Sequence, residues 1–171
     1  MGAASSESGF AWTARQFVGG DPALDLLNTI VYRDDPARRF DRLANEAAAA
    51  AWLAAARRFA SPGLPTGPAG LRALREAVDG VVARGDPAAR GHLLAHVGAA
   101  MLDAPASAAA AIGEGFVALL YSRDFERMKQ CPNCHWFFID RTRNGSRRWC
   151  DMATCGNGEK AAKRRDRRKR R

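Results

Sequence analysis

The stretch CPNCHWFFIDRTRNGSRRWCDMATC, Cys131–Cys155, holds all four cysteines of a 171-residue chain. Two residues separate Cys131 from Cys134, fifteen separate the pairs, and four separate Cys150 from Cys155. A two-residue gap in a tight knuckle puts both sulfurs on one side of the backbone. A second pair from another segment completes a tetrahedron, the arrangement zinc takes with thiolates. Four protein ligands leave no open position for water, so the expected site is structural: one Zn2+ held by Cys131, Cys134, Cys150 and Cys155. Free thiols or a redox pair are the competing reading. A disulfide framework spreads over a secreted domain, whereas close pairs at one end point to a metal in a reducing compartment, here the cytoplasm. His135 follows Cys134 directly and is expected to stay outside the ligand set.

The residues between the pairs suit a small zinc fold. HWFFID (His135–Asp140) alternates its aromatics to both faces of a short strand. Asn144-Gly145 is a turn signal, so a short β-hairpin is expected. Trp149 stands beside Cys150, where it can cover the metal. Trp136 and Phe138 read as a mini-core, with base stacking as the alternative.

Charge is concentrated at the same end. Residues 141–171 hold 13 of the 27 Lys+Arg and 3 of the 18 Asp+Glu, and the remainder of the chain is close to neutral. A localised positive field attracts a polyanion. Arg141, Arg143, Arg147 and Arg148 fall in the loop between the cysteine pairs. Beyond Cys155 the tail reads GNGEKAAKRRDRRKRR. As a helix it would place Lys160, Lys163, Arg164, Arg167 and Arg171 on one face, with Arg168 a further candidate contact. Nothing apolar follows Ala162, so the distal half is expected to be disordered alone and to order on a polyanion. A solvated charge run that aids solubility is the plain alternative. The Gly156–Gly158 turn offers backbone N–H groups to a phosphate or to the zinc-bound sulfurs. Phosphate contacts give affinity with little sequence information. Specificity would come from the Arg141–Arg148 loop or from a homodimer reading two half-sites.

Residues 1–125 read as a mainly α-helical domain of about five helices, and 126–171 as the zinc module with its basic helix or tail. Asp21-Pro22 starts the first helix, with Leu24, Leu27 and Val31 at helical spacing. A second helix is expected from Asp41 to about Ala60, its stripe Leu43, Ala47, Ala50 and Leu53 or Ala54, with Trp52 beside it. A third carries Leu71, Leu74, Val78 and Val81 or Val82. The fourth is expected over His92–Leu102 and the fifth over Ala106–Tyr121, with Ser122–Gln130 adding a helical turn. The opening MGAASSESGF reads as a frayed end without a secretion-signal pattern. No run of about 18 apolar residues predicts a membrane span. There is no Ser-His-Asp order, phosphate loop or paired-carboxylate signature, so an enzyme is not expected. His92 and His96 share a helix face but lack the intervening glutamate of the HExxH hydrolases. Asp25, Asn28 and Thr29 are candidate polar contacts for a small-molecule effector; buried capping groups are the alternative.

The run from Cys131 to Asn157 closely resembles the CGNR zinc finger, through the four cysteines, the Asp-Arg-x-Arg-Asn-Gly turn and the Arg-Arg-Trp-Cys step. Gly158 stands where that family has its name-giving arginine, and the forked geometry of an arginine cannot be assigned there. GGDPALDLLNT (Gly19–Thr29) and AAWLAAA (Ala50–Ala56) resemble the ABATE domain, which is described as a stress-induced transcription regulator. The resemblance implies a bacterial transcription regulator. The expected function is DNA binding through the finger and tail, with the N-terminal domain dimerising or sensing a ligand or stress signal. An RNA- or ribosome-associated zinc protein and a protein-interaction adaptor are the alternatives.

Overall fold

The computed structural model describes residues 10–169, apart from the side chains at 162, 163, 166, 167 and 169. The frayed-end reading of the first nine residues, Arg171, and the expected contacts of Lys163 and Arg167 lie outside the described residues.

The Asp-Pro start works as expected. An Asp21 carboxylate oxygen accepts the Ala23 N–H at 2.8 Å, and Pro22 opens α1 (Pro22–Leu27). Gly20 precedes it with φ +82°, a conformation that favours glycine. The helix ends at Leu27 and does not reach Val31. The Thr29 hydroxyl donates back to the Leu26 carbonyl at 2.7 Å, a local bond that competes with further helix. Ile30 and Val31 instead form β1 (Ile30–Val31), antiparallel to β2 (Phe40–Asp41).

Pairing with Ile30 takes Asp41 out of the second helix. That helix, α2 (Glu46–Phe59), starts at Asn45, whose side chain accepts the Ala48 N–H at 2.9 Å. It buries Ala49, Trp52, Leu53 and Ala56, while Ala47, Ala50 and Ala54 of the expected stripe are exposed. A run of alanines has no apolar contrast to set its phase, so Trp52 sets it. α3 (Leu71–Val82) buries Leu71, Leu74 and Val78 as expected. α4 (Ala89–Asp103) begins three residues before the expected start. α5 (Ala108–Leu120) is capped by Ser107, which accepts the Ala110 N–H at 3.1 Å. A Cβ on Gly113 would lie 2.7 Å from a Val97 methyl, so glycine is what lets α4 and α5 touch there. α1 sits at the centre, packed on α3 and α5, with α4 against both.

Buried ion pairs tie the β1–β2 region to α3. Arg75 reaches the two Asp41 oxygens at 2.5 and 2.8 Å and the Thr29 hydroxyl at 3.0 Å; Asp79 meets both Arg33 and Arg84. Removing either partner of such a pair leaves an uncompensated buried charge.

After the single turn of α6 (Arg123–Glu126), β3 (Met128–Gln130) and β4 (Phe137–Ile139) form the hairpin of the zinc module. The helical turn expected within Ser122–Gln130 is α6, and the end of that connector is β3, which the sequence did not reveal. A π-helical turn, Met152–Gly156, then leads into α7 (Asn157–Lys169), so the basic tail is helical as far as the structure describes it. No helix among the described residues is long and apolar enough to cross a membrane.

Candidate metal centre and nucleic-acid interface

β4 divides its side chains by parity. Trp136 and Phe138 pack among the four cysteines with Val31, while Phe137 and Ile139 enter the core of the helical domain. The zinc module and the helical domain therefore share a strand. Asn28, at the end of α1, clasps it: its amide donates to the Phe137 carbonyl and accepts the Phe137 N–H, both at 2.8 Å. The Ile139 N–H also donates to the Gly19 carbonyl at 2.9 Å. With both Trp136 and Phe138 buried, the aromatics are the mini-core of the module.

The four sulfurs converge. Cys134 and Cys150 Sγ are 3.4 Å apart, Cys150 and Cys155 3.6 Å, and all four lie within 4.8 Å of one another. A zinc–sulfur length of about 2.3 Å in a tetrahedron requires edges of about 3.8 Å, whereas a disulfide would bring two sulfurs to about 2.05 Å. All four cysteines are free and buried. The S–H groups of Cys134, Cys150 and Cys155 hold the Cys131 thiol far below its usual range. Contacts with Cys131 push Cys134 and Cys150 far above theirs. To ionise together, four thiols this close would require a cation among them. The residues fit one zinc ion, held by Cys131, Cys134, Cys150 and Cys155, whose role is to order the module. The Trp136 carbonyl accepts the Cys131 N–H at 2.8 Å and Asp151 accepts the Thr154 N–H at 2.8 Å, fixing both ligand-bearing turns. Trp149 packs on the cluster, as expected. His135 faces away from the sulfurs, with Nδ1 3.2 Å from an Asp34 carboxylate oxygen. Among the described residues His92 and His96 join no cluster of three or more possible metal ligands.

The loop that leaves β4 is organised by Asp140, which the sequence reading gave no role. Its carboxylate is fully buried and accepts from Lys129 Nζ at 2.7 Å, the Arg147 N–H at 2.8 Å, and the Thr142 N–H and hydroxyl at 3.0 and 2.6 Å. Burial by itself would raise its pKa, but Lys129, Thr142 and the Arg147 N–H outweigh it and hold the carboxyl well below the usual range. An Asp followed two residues later by Thr in a turn was the available signal; nothing in the sequence pointed to Lys129.

The arginines of this loop have different surroundings. Arg147 turns inward: its guanidinium donates to the Trp149 carbonyl at 2.9 Å and to the Cys150 carbonyl, and lies 4.6 Å from the Phe138 ring centroid. Arg141 pairs with Asp124 of α6 at 2.9 Å while staying exposed. Arg143 and Arg148 are exposed, Arg148 5.5 Å from the Trp149 ring centroid. On α7, Lys160, Arg164 and Arg168 are exposed at steps of four residues, hence on one face. A Cβ on Gly158 would meet nothing within 4 Å, so no steric demand explains glycine there.

Asp25, Asn28 and Thr29 have separate partners. Asn28 holds β4 and Thr29 serves Leu26 and Arg75. Asp25 is 5% exposed and accepts the Gly19 N–H at 2.8 Å; burial pushes its pKa up to about 7. It lines a cavity of about 360 Å3 with Phe17, Asp21, Phe59 and Ser61.

The family model of the CGNR zinc finger matches residues 127–168. The ABATE model, described as "Putative stress-induced transcription regulator", matches residues 20–120, more than half of the chain. No curated protein and no solved structure matches it. The chain belongs to the ABATE family, and its residues 127–168 are a CGNR zinc finger.

Proposed function

We propose that this protein regulates transcription in the cytoplasm of a bacterium by binding duplex DNA through its zinc module, as a binder and not an enzyme. The observation that carries the reading is the exposure of two sets of cations on either side of the metal ligands. Arg143 and Arg148 precede Cys150 on a loop held by Asp140. Lys160, Arg164 and Arg168 follow Cys155 along one face of α7. Zinc would fix the loop end and the helix start to one another. Cations so held release counterions from DNA at little further ordering cost. Arg147, spent on carbonyls, is not among the DNA contacts. Specificity comes from the loop or from two copies reading two half-sites, and the helical domain carries the stress signal.

The test compares a DNA duplex with a structured RNA of equal charge, for the zinc-loaded full chain and for a chain ending at Gly158. The duplex should be preferred. The truncated chain should keep one zinc and lose most of its affinity. A preference for RNA would move the protein to the RNA-associated class. Absence of binding to either would leave the zinc module as an interaction adaptor.

A further inference from the structure

Among the described residues three carboxyl groups are buried, those of Asp25, Asp79 and Asp140. Asp79 meets Arg33 and Arg84, and Asp140 meets Lys129. Asp25 is 5% exposed, and no cation pairs with it among the described residues. Its Oδ1 accepts the Gly19 N–H at 2.8 Å, and the Val18 N–H faces the same carboxyl. Neutral donors replace part of the lost hydration but supply no counter-charge. Asp25 and Asp21 line a cavity of about 360 Å3 with Phe17, Phe59, Ala60 and Ser61. None of the described residues lining it is basic. Phe17 and Phe59 make its apolar wall, their ring centroids 6.2 Å apart and their planes tilted by 32°. α2 ends at Phe59, so the negative end of its dipole lies at the same wall. The positive end of α1 is already met by Asp21, which caps it. Two cations stand nearby without lining the cavity. Arg58 lies 5.1 Å from the Phe59 ring centroid, and Arg141 Nη1 would be 3.6 Å from a Cβ on Gly20.

We propose that this cavity binds a small primary ammonium ion with a single-ring apolar body, its ammonium on Asp25 and Asp21 and its ring against Phe17 and Phe59. An ammonium has three donors and can meet both carboxylates at once. It supplies to Asp25 the counter-charge that Asp79 and Asp140 receive from within the chain. Calcium takes about six to eight oxygen ligands, more than two carboxylates and the Ser61 hydroxyl provide. The volume suits a single-ring ligand at the small end of binding cavities. Arg141 belongs to the loop between the cysteine pairs, and its charge acts on Asp21. An ammonium seated on Asp21 would repel Arg141 and so bear on that loop. The use of the site to signal to the zinc module rests on the function proposed above; ligand binding itself does not.

The experiment is calorimetric titration of the zinc-loaded full chain with benzylamine, benzyl alcohol and calcium chloride, without DNA. The pH is held above the Asp25 value of about 7, where its carboxyl ionises. Benzylamine should bind saturably at one site, at least about tenfold more tightly than benzyl alcohol or calcium. Asp25→Asn keeps an acceptor for the Gly19 N–H and removes the charge; it should weaken benzylamine at least about tenfold. Ser61→Phe keeps both carboxylates and fills the cavity; it should abolish binding while helix content and zinc stoichiometry stay unchanged. No saturable benzylamine binding to the wild type would overturn the site. So would affinity that Asp25→Asn leaves within about twofold, or benzyl alcohol binding as tightly as benzylamine. Calcium binding more tightly than benzylamine would overturn the amine in favour of a metal ion. Because no DNA is present, failure here leaves the DNA-binding proposal standing, and failure of DNA binding leaves the calorimetry interpretable.

Discussion

Arg147 and Arg148 stand side by side between the cysteine pairs, one beneath the loop and one on its surface. Arg147 donates to the Trp149 and Cys150 carbonyls and stacks on Phe138, so Arg147→Gln should destabilise the zinc module by about 2–3 kcal/mol in denaturant unfolding. Arg148→Gln should leave stability within about 0.5 kcal/mol and reduce DNA affinity. Composition could not separate the two, because charge is local to a residue while its destination depends on carbonyls brought close by the fold. The cysteines were legible because their spacing is itself the chemistry of the site. Asp25 gives a second test. Burial raises its folded pKa to about 7 from an ordinary 3.8, so the unfolded chain ionises first as pH rises. Its stabilising protonated state is complete below the ordinary value and is lost as pH climbs through about 7. Asp25→Asn keeps an acceptor for the Gly19 N–H without that titration. Between pH 4 and 8 the variant should gain on the wild type by at most about 4 kcal/mol, read from urea midpoints; a pH-independent gap would mean Asp25 is not held neutral.

At the scale of elements, the first helix start was readable because a capping residue and apolar contrast coincide at Asp21-Pro22, and the buried face of α3 was readable from apolar contrast alone, since Gly70 offers no side-chain cap. Helix starts were displaced where long-range partners intervened. Asp41 was claimed by Arg75 and by strand pairing, moving the start of α2 to Asn45. β3, Met128-Lys129-Gln130, has no alternation of its own and exists because β4 pairs with it. The double hydrogen bond from Asn28 to Phe137 joins α1 to β4, and only the folded chain brings residues 109 apart into register. Asn28→Ala would leave a buried N–H and carbonyl unpaired. It should cost about 2–4 kcal/mol in urea unfolding and loosen the zinc module from the helical domain. An unchanged midpoint would show that the clasp is dispensable.

Across the whole molecule, the metal centre and the helical core are joined by one strand, with Trp136 and Phe138 on the sulfurs and Phe137 and Ile139 in the helical core. Structural zinc contributes on the order of 10–16 kcal/mol in isolated finger peptides, and part of that ordering should here reach the helices. Chelation is therefore expected to lower the thermal midpoint of the helical signal as well as that of tryptophan fluorescence. Helical melting that ignores the chelator would separate the two parts. The basic end was legible as a concentration of positive charge; which cations remain exposed was not, because it depends on Asp140, Asp124 and the loop carbonyls. The central claim is that exposed cations on both sides of the zinc ligands bind DNA. Duplex affinity of the zinc-loaded chain, measured over a range of salt concentrations, tests it most directly. Five phosphate contacts, from Arg143, Arg148, Lys160, Arg164 and Arg168, predict a slope of about −4 to −5 in log affinity against log salt. No binding at about 50 mM salt, or a slope shallower than about −1, would contradict it.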